Sequence, residues 1–306
     1  MTLPTGLAAY PITPADASGN VDFTAVRRLV ARLVDAKVDA IGLLGSTGAY
    51  MYLSPEERQQ ALEAALDEIG GRVPVLVGVG ALRTDDAVRL AQHAKAAGAS
   101  VGLLSPVSYT PLSDDEVFEH FSAVAGESGL PICIYDNSGT THFRFTPELI
   151  DRLAKVSGIV GVKNPGWAAD DAAGHLAEQR ALASKGFSIG CSTDWTAAAT
   201  MIAGADLWHS VLAGILPDIC LKLVRAAQRG EADETHCLDR MLAPFWHLFE
   251  QHSSLRVSYT IAGLLGLTSA EPPRPILPLS QGVKRQVADA LACLQRESAA
   301  TGVGTL

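Results

Sequence analysis

Two reactive side chains each close a short apolar segment of the sequence. Lys163 follows the segment IVGV, and Tyr135 follows the segment ICI. A lysine at the end of a buried strand is desolvated, which favours the free amine, and a free amine attacks carbonyl carbons to form an imine. A phenol beside it could relay the protons of that reaction. Taken alone, either residue could be structural, as a lysine that extends to solvent or as a core tyrosine.

A third segment could bind the acidic group of a substrate. Gly45, Ser46, Thr47 and Gly48 follow another apolar run, so two glycines enclose two hydroxyls and several backbone N–H groups. Such a turn can bind a carboxylate, although it can also be an ordinary tight turn between a strand and a helix. It is not a dinucleotide-binding motif, since it lacks the G-x-G-x-x-G pattern. If the three segments meet, the turn fixes a carboxylate, the lysine attacks the adjacent ketone and the tyrosine moves the protons.

The bulk composition limits what the protein can bind. The 306 residues are 48% hydrophobic and 19% charged, and the formal net charge is −9, which suits one large core. The negative charge argues against nucleic acid or an anionic membrane as partner. No apolar run is long enough to cross a membrane, and the N-terminus lacks the pattern of a signal peptide. The five cysteines have no C-x-x-C spacing, so we expect reduced thiols and a cytoplasmic protein.

The reactive segments belong to a pattern in which short apolar runs alternate with longer amphipathic stretches. Eight runs are predicted as strands, at residues 6–10, 40–44, 73–77, 100–104, 132–135, 159–162, 187–189 and 207–211. Most are apolar throughout, as parallel strands buried on both faces are. Ser54 and Ser113 each precede a glutamate at capping-box spacing, which predicts helix starts between the strands. The pattern predicts an α/β fold, a closed (β/α)8 TIM barrel, with a doubly wound open sheet as the alternative.

The alternation stops after Gly230. Helices are predicted at residues 232–250, 256–265 and 282–297, so we expect a catalytic barrel over residues 1–230 and a C-terminal helical extension over residues 231–306 that packs on it. Active sites of such barrels form at the carboxyl ends of the strands. His209 in the eighth strand is a further candidate there. It could line the pocket and act as a general acid for the loss of water, or it could be a buried structural histidine.

The order and spacing of these segments resemble the dihydrodipicolinate synthase and N-acetylneuraminate lyase superfamily. The landmarks are Thr13-Pro14, Gly45-Ser46-Thr47-Gly48, Gly78-Val79-Gly80, Tyr135-Asp136-Asn137, Gly161-Val162-Lys163 and Arg274-Pro275-Ile276-Leu277-Pro278-Leu279. The resemblance implies a Schiff base between Lys163 and pyruvate or a related 2-oxo acid, with Tyr135 as the proton relay. It implies that Ser46 and Thr47 bind the substrate carboxylate and support the relay. It also implies a homo-oligomer, a tetramer or a dimer, in which Tyr109 could complete the relay of a neighbouring subunit.

Three positions depart from the synthase branch of that superfamily. Ala49 follows the turn where that branch usually has glutamate, and Asn164 follows the lysine where an acidic residue is common. Thr140 stands where the branch has an arginine that binds the second substrate's carboxylate, so Thr140 becomes a candidate substrate-binding residue. Arg144 is near in sequence, but nothing in the sequence indicates that it faces the site. We therefore expect a member that has diverged from true dihydrodipicolinate synthase and acts on a 2-oxo acid with hydroxyls.

The leading hypothesis is a lyase that makes or breaks a carbon–carbon bond next to a pyruvyl enamine, with an aldehyde as second substrate. A dehydratase acting on a 2-oxo-3-deoxy sugar acid would use the same imine and release water instead. A non-catalytic protein that binds 2-oxo acids is the alternative from another class. Neither a metal nor another cofactor is expected, because the imine needs none and the eight histidines form neither H-x-H nor H-E-x-x-H.

Overall fold

The computed structural model describes residues 3–16, 18–183 and 186–301. Within these ranges, eight parallel strands pair in chain order and close into a barrel. They are β1 Gly6–Ala9, β2 Ala40–Leu43, β3 Val75–Gly78, β4 Val101–Leu104, β5 Ile132–Tyr135, β6 Ile159–Asn164, β7 Ser188–Cys191 and β8 Leu207–Ser210. The (β/α)8 barrel and all eight predicted strands are confirmed, since each observed strand overlaps its predicted range.

Helices connect successive strands on the outside of the barrel. They are α1 Phe23–Asp35, α2 Pro55–Ile69, α3 Thr84–Ala97, α4 Asp114–Ser128, the single turn α5 Ser138–Thr141, α6 Pro147–Ala154, α7 Ala169–Leu182, α8 Ala197–Ile202 and α9 Pro217–Gln228. Both predicted capping boxes form, because Ser54 and Ser113 accept the N–H of the third helical residue and its glutamate accepts theirs.

Three further helices form the C-terminal extension, at α10 Ala232–His252, α11 Ser254–Leu264 and α12 Gln281–Thr301. Helix α10 packs on α8 and α9 of the barrel, and α12 packs on α10 and α11. The boundary at residue 230 stays a prediction, and the outer ends of the two predicted regions, residues 1–2 and 302–306, lie outside the described residues. None of the helices that the structure describes is long and apolar enough to span a bilayer.

The barrel interior is filled by side chains that alternate along the strands. A compact inner cluster includes Ala8, Tyr10, Ala40, Leu76, Val101, Leu103, Cys133, Tyr135 and Leu207. A larger apolar core lies between the strands and the surrounding helices. Because residues two apart on a strand face the same side, the inward positions continue upward to the carboxyl ends of the strands. The last inward-facing side chains therefore form the floor of any cavity at the carboxyl ends of the strands.

Candidate active site

A cavity of about 560 Å³ opens at the carboxyl ends of the strands, where (β/α)8 barrels carry their active sites. Its inner end is formed by Lys163 of β6, Tyr135 of β5, and Ser46 and Thr47 from the loop after β2. The sequence analysis singled out these four residues as candidates for chemistry. The fold brings all four to one cavity.

Lys163 lies between two aromatic rings and is only 4% exposed. Strands β5 and β6 pair so that Lys163 is opposite Tyr135. Its Nζ lies 3.8 Å from the centre of the Tyr135 ring and 4.5 Å from the centre of the Tyr10 ring. Within the described part of the chain, no hydrogen bond or ion pair engages Nζ. The reactive nitrogen is thus held against two ring faces, which attract positive charge.

A hydroxyl cluster stands beside the lysine. The Tyr135 hydroxyl lies 3.0 Å from Ser46 Oγ, and Asn137 Nδ2 donates to both oxygens, at 2.9 and 3.0 Å. The amide therefore holds the two hydroxyls so that a proton can pass between them. The sequence analysis noted Asn137 only as part of a landmark segment. Its position two residues after Tyr135 was the available signal, because such residues share a side in extended chain.

In the turn after β2, the hydroxyl-bearing residues line the cavity and the glycines do not. Thr47 lines the cavity and is 5% exposed. Gly45 and Gly48 are not among the described residues that line the cavity. A Cβ on Gly48 would approach the backbone of Leu44 to 3.0 Å, and one on Gly45 would approach the Tyr10 ring to 3.2 Å. The glycines thus allow the turn to pack tightly, and their predicted contact with substrate stays a prediction.

The outer wall of the cavity comes from loops and from the C-terminal extension. Ser192, Thr193 and Trp195 follow β7, while Phe249 and residues 253–255 come from the junction between α10 and α11. The sequence analysis missed these residues. Trp195 was the one detectable signal, because the sequence places this large aromatic residue shortly after a predicted strand; in the structure its side chain is 39% exposed.

Asp194 is a buried carboxylate at the base of this wall. It accepts hydrogen bonds from Trp208 Nε1 at 3.0 Å and from the backbone N–H groups of Leu212 at 2.8 Å and Val211 at 3.3 Å. Burial raises the pKa of Asp194 to about 6, against the opposing effect of these donors. Of the described residues that line the cavity, Lys163 is the one lysine or arginine and Asp194 the one aspartate or glutamate. No group of three or more histidine, cysteine, aspartate or glutamate side chains in the described ranges could hold a metal ion.

Comparison with known proteins gives this arrangement a family. The profile described as "Dihydrodipicolinate synthetase family" matches residues 3–294. The chain belongs to the dihydrodipicolinate synthetase family. The 4-hydroxy-tetrahydrodipicolinate synthase of Methylococcus capsulatus is 32% identical over 250 residues, which are 81% of this chain and 84% of that protein. The crystal structure of dihydrodipicolinate synthase from Agrobacterium tumefaciens is similar with a TM-score of 0.93 and 51% identity, covering 95% of this chain and 98% of that one.

Membership of the dihydrodipicolinate synthetase family confirms the prediction of a Schiff-base-forming lyase on a (β/α)8 barrel. Another family structure, the dihydrodipicolinate synthase of Acinetobacter baumannii complexed with pyruvate, has a TM-score of 0.87 and 26% identity, over 95% of this chain and 98% of that one. The chain is therefore an enzyme, and the hypothesis of a non-catalytic binding protein loses its support.

His209 does not lie in the cavity where the sequence analysis expected it. The side chain is 1% exposed and is not among the described lining residues. Its Nδ1 lies 2.8 Å from the Tyr10 hydroxyl, in a buried contact. Burial, and secondarily the charge of Lys163, lower the pKa of His209 well below its usual value. The imidazole is thus neutral and structural in its surroundings, as the alternative interpretation of this residue held, with a tyrosine as its partner.

Thr140 and Tyr109 are both exposed, but of the two Thr140 is the one that lines the cavity. Thr140 lines the outer part of the cavity, as predicted from its register. Arg144 is exposed and is not among the described lining residues, and its charge acts instead on the carboxyl of Asp136. Tyr109 is 97% exposed and lies outside the described lining, although Val107 from the same loop contributes to it. Within this chain, Tyr109 does not join the other predicted residues.

Proposed function

We propose that the protein forms an imine between Lys163 and the keto carbon of pyruvate or a related 2-oxo acid, and that it makes or breaks a carbon–carbon bond at the next carbon. One observation carries the proposal: the buried amine of Lys163 lies against Tyr135, whose hydroxyl is hydrogen-bonded to Ser46. A family synthase complexed with pyruvate and relatives named 4-hydroxy-tetrahydrodipicolinate synthase support it.

The proposed reaction balances with the residues present. Nζ of Lys163 attacks the keto carbon, and the adduct loses water to give a protonated imine. In the cleavage direction, the hydroxyl on the fourth carbon gives its proton to the Tyr135–Ser46 relay as the bond between the third and fourth carbons breaks; the electrons of that bond enter the imine, and an aldehyde leaves behind an enamine. The enamine takes a proton at the third carbon, and water then releases pyruvate and the free amine. Condensation is the same path in reverse.

The neighbouring residues are assigned supporting roles in this scheme. Tyr135 gives and takes protons as the adduct forms and loses water, with Ser46 as the next member of the relay and Asn137 holding both oxygens. Ser46, Thr47 and the N–H groups of their turn bind the substrate carboxylate. Gly45 and Gly48 shape that turn.

We further propose that the part of the substrate beyond the keto acid is uncharged and hydroxylated, unlike the substrate of a true dihydrodipicolinate synthase. The outer cavity offers hydroxyls from Thr140, Thr141, Ser192, Thr193, Ser253 and Ser254. The described lining residues include no arginine, and Arg144, the arginine nearest to Thr140 in sequence, is not among them. Thr140 can exchange hydrogen bonds with a hydroxyl but cannot neutralise a second carboxylate. The burial of His209 outside the described lining removes this imidazole as the general acid of a dehydratase.

The remaining properties are proposed on similar grounds. We infer that no metal or cofactor beyond the covalent imine is needed, so EDTA leaves the rate unchanged, and reversible loss of activity would contradict this. The exposure of Tyr109 supports a homo-oligomer, a tetramer or dimer, in which Tyr109 contacts a neighbouring subunit. The net charge of −9 argues against nucleic acid or membrane partners. All five cysteines are free, which supports a cytoplasmic location.

Borohydride trapping with pyruvate, followed by peptide mass spectrometry, tests the proposal. We expect a reduced adduct on the peptide that contains Lys163. The Lys163→Ala variant should give none, while Lys155→Ala, which removes an exposed lysine paired with Asp151, should react as the wild type does. No adduct on Lys163 with pyruvate or with longer 2-oxo acids would overturn the imine mechanism.

A further inference from the structure

Two polar side chains that the reaction scheme does not use form a buried pair next to Lys163. Tyr10 follows β1 and His209 lies in β8, and they are 3% and 1% exposed. Strands β1 and β8 pair where the barrel closes, with Ala8 opposite His209. This pairing brings the Tyr10 hydroxyl to 2.8 Å from His209 Nδ1. Nε2 has no partner among the described residues, so Tyr10 is the polar contact that this imidazole makes.

The barrel makes room for this pair with glycines on the neighbouring strands. A Cβ on Gly42 of β2 would overlap the ring of Tyr10. A Cβ on Gly190 of β7 would lie 2.5 Å from His209 Nε2. Glycine weakens a strand interior and often marks a close approach of another group. Two such glycines, one beside each ring, show that the local backbone is suited to these two bulky side chains in these positions.

The Tyr10 ring completes an aromatic enclosure around the reactive nitrogen. Nζ of Lys163 lies 4.5 Å from the centre of the Tyr10 ring, in addition to its contact at 3.8 Å with the Tyr135 ring. No carboxylate in the described ranges forms an ion pair with Nζ, and two ring faces that attract positive charge lie against it. The titratable side chains that face this region are Cys133 and Tyr135 of β5 together with His209. Because its pKa is lowered, His209 anchors the ring without adding a second positive charge beside the amine.

We propose that Tyr10 and His209 act as positioning residues for Lys163: His209 holds the Tyr10 ring against Nζ, and the ring stabilises the positively charged imine. This inference rests on the proposed imine chemistry. The imine stays cationic until the carbon–carbon bond changes, whereas the free amine that precedes it is neutral. A ring face attracts the cationic imine but not the neutral amine, so it shifts the equilibrium from free amine to imine. The ring attracts ammonium and imine alike, so it has much less effect on the equilibrium between these two cations.

This difference gives a test that a purely structural role would fail. The fraction of Lys163 trapped by borohydride at a fixed pyruvate concentration is measured from acid to alkaline pH. In Tyr10→Leu and His209→Leu, we expect the imine binding constant to fall about three- to thirtyfold at alkaline pH. At acid pH the fall in the imine binding constant should nearly vanish. There the starting state is the ammonium, and the variant removes the same ring attraction from the ammonium and from the imine. His209→Asn, which can present an amide group near the position of Nδ1, should stay close to the wild type.

Controls separate this effect from damage to the core. Leu103→Val changes the packing of the same inner cluster and should leave the pH dependence unchanged. If Tyr10→Leu does not fold, Tyr10→Phe is used in its place. This variant keeps the aromatic ring but removes the hydroxyl that contacts His209, so its imine binding constant should depend on pH as that of His209→Leu does. A loss of equal size at every pH, or an equal loss in His209→Asn and His209→Leu, would overturn the inference. Absence of any adduct on wild-type Lys163 would instead overturn the imine mechanism, and this role with it.

Discussion

The inner end and the outer wall of the cavity are built by different parts of the fold. Lys163 and Tyr135 at the inner end lie at the carboxyl ends of strands whose register is set by hydrogen bonds to both neighbours. Trp195 and residues 253–255 of the outer wall belong to a loop and to the junction of two helices. Strand ends are more precisely held than loops, while loops tolerate sequence change. The comparison teaches that barrel strands position the proposed reactive groups, whereas loops and the helical extension form the part of the wall that we propose selects the substrate.

Lys163→Ala is the most severe break of the inner end. We expect kcat to fall by about 10⁴-fold or more, because the covalent path is lost altogether. The variant should still unfold cooperatively near the wild-type temperature when followed by circular dichroism. Lys155→Ala is the matched control and should keep full activity, since its side chain is 68% exposed. A purified Lys163→Ala enzyme with substantial turnover would rule out the Schiff base on this residue.

Tyr135→Phe tests the relay while keeping the ring against Lys163. We expect kcat to fall about 10²- to 10³-fold, because the phenyl group cannot carry a proton. The KM for the 2-oxo acid should change much less. Tyr259→Phe is the control, as it removes another buried hydroxyl, which donates to the Thr13 carbonyl oxygen far from Lys163 in sequence. An unchanged rate constant in Tyr135→Phe would remove Tyr135 from the relay.

Trp195→Ala sharpens the comparison from the side of the outer wall. We expect about a tenfold higher KM for a hydroxylated aldehyde, corresponding to ~1.4 kcal/mol of lost binding. Borohydride trapping with pyruvate should be unaffected, because the inner end is intact. Trp167→Ala serves as control, since Trp167 stacks on His175 and is not among the described lining residues. Equal loss of pyruvate trapping would mean that the two regions are not separable.

Asp194→Asn should have the smallest effect, on stability rather than on the reaction. The folded-state pKa of about 6 lies above the usual 3.8, so between these values the folded protein holds a proton that the unfolded chain releases. Stability therefore falls as pH rises from about 4 to about 6, by up to about 3 kcal/mol for this group. Urea unfolding across that range should show a shallower decline in Asp194→Asn. Part of the slope should remain, because burial also raises the pKa of Asp136 to about 6.

The same contrast explains which residues could be predicted from the sequence. A parallel strand buried on both faces is a continuous apolar run, so Lys163 and Tyr135 could be recognised where their runs end. That rule misplaced His209, because its depth depends on the register between β1 and β8 and on the space that Gly190 leaves. Register and free space arise when the barrel closes, and no local pattern encodes them.

The outer wall was hidden from sequence reasoning for a related reason. Phe249 and residues 253–255 lie far along the chain from Lys163 and reach the cavity only because α10 packs on α8 and α9. Helical periodicity predicted that these helices exist and roughly where they begin and end. It carries no information on which of their residues meet a cavity formed by the barrel. Asn137 was nearer to recognition, since it lies two residues beyond a predicted strand.

The contribution of the α10–α11 junction to the cavity also bears on how such enzymes change over time. The helical extension supplies part of the cavity wall, where we propose that a second substrate binds, yet none of the groups assigned to imine formation. A lineage could therefore acquire new substrates by altering residues after Gly230 while its reactive lysine and strands stay as they are. For protein engineering, exchanging this segment between relatives is a way to recombine an unchanged reaction with a different substrate preference.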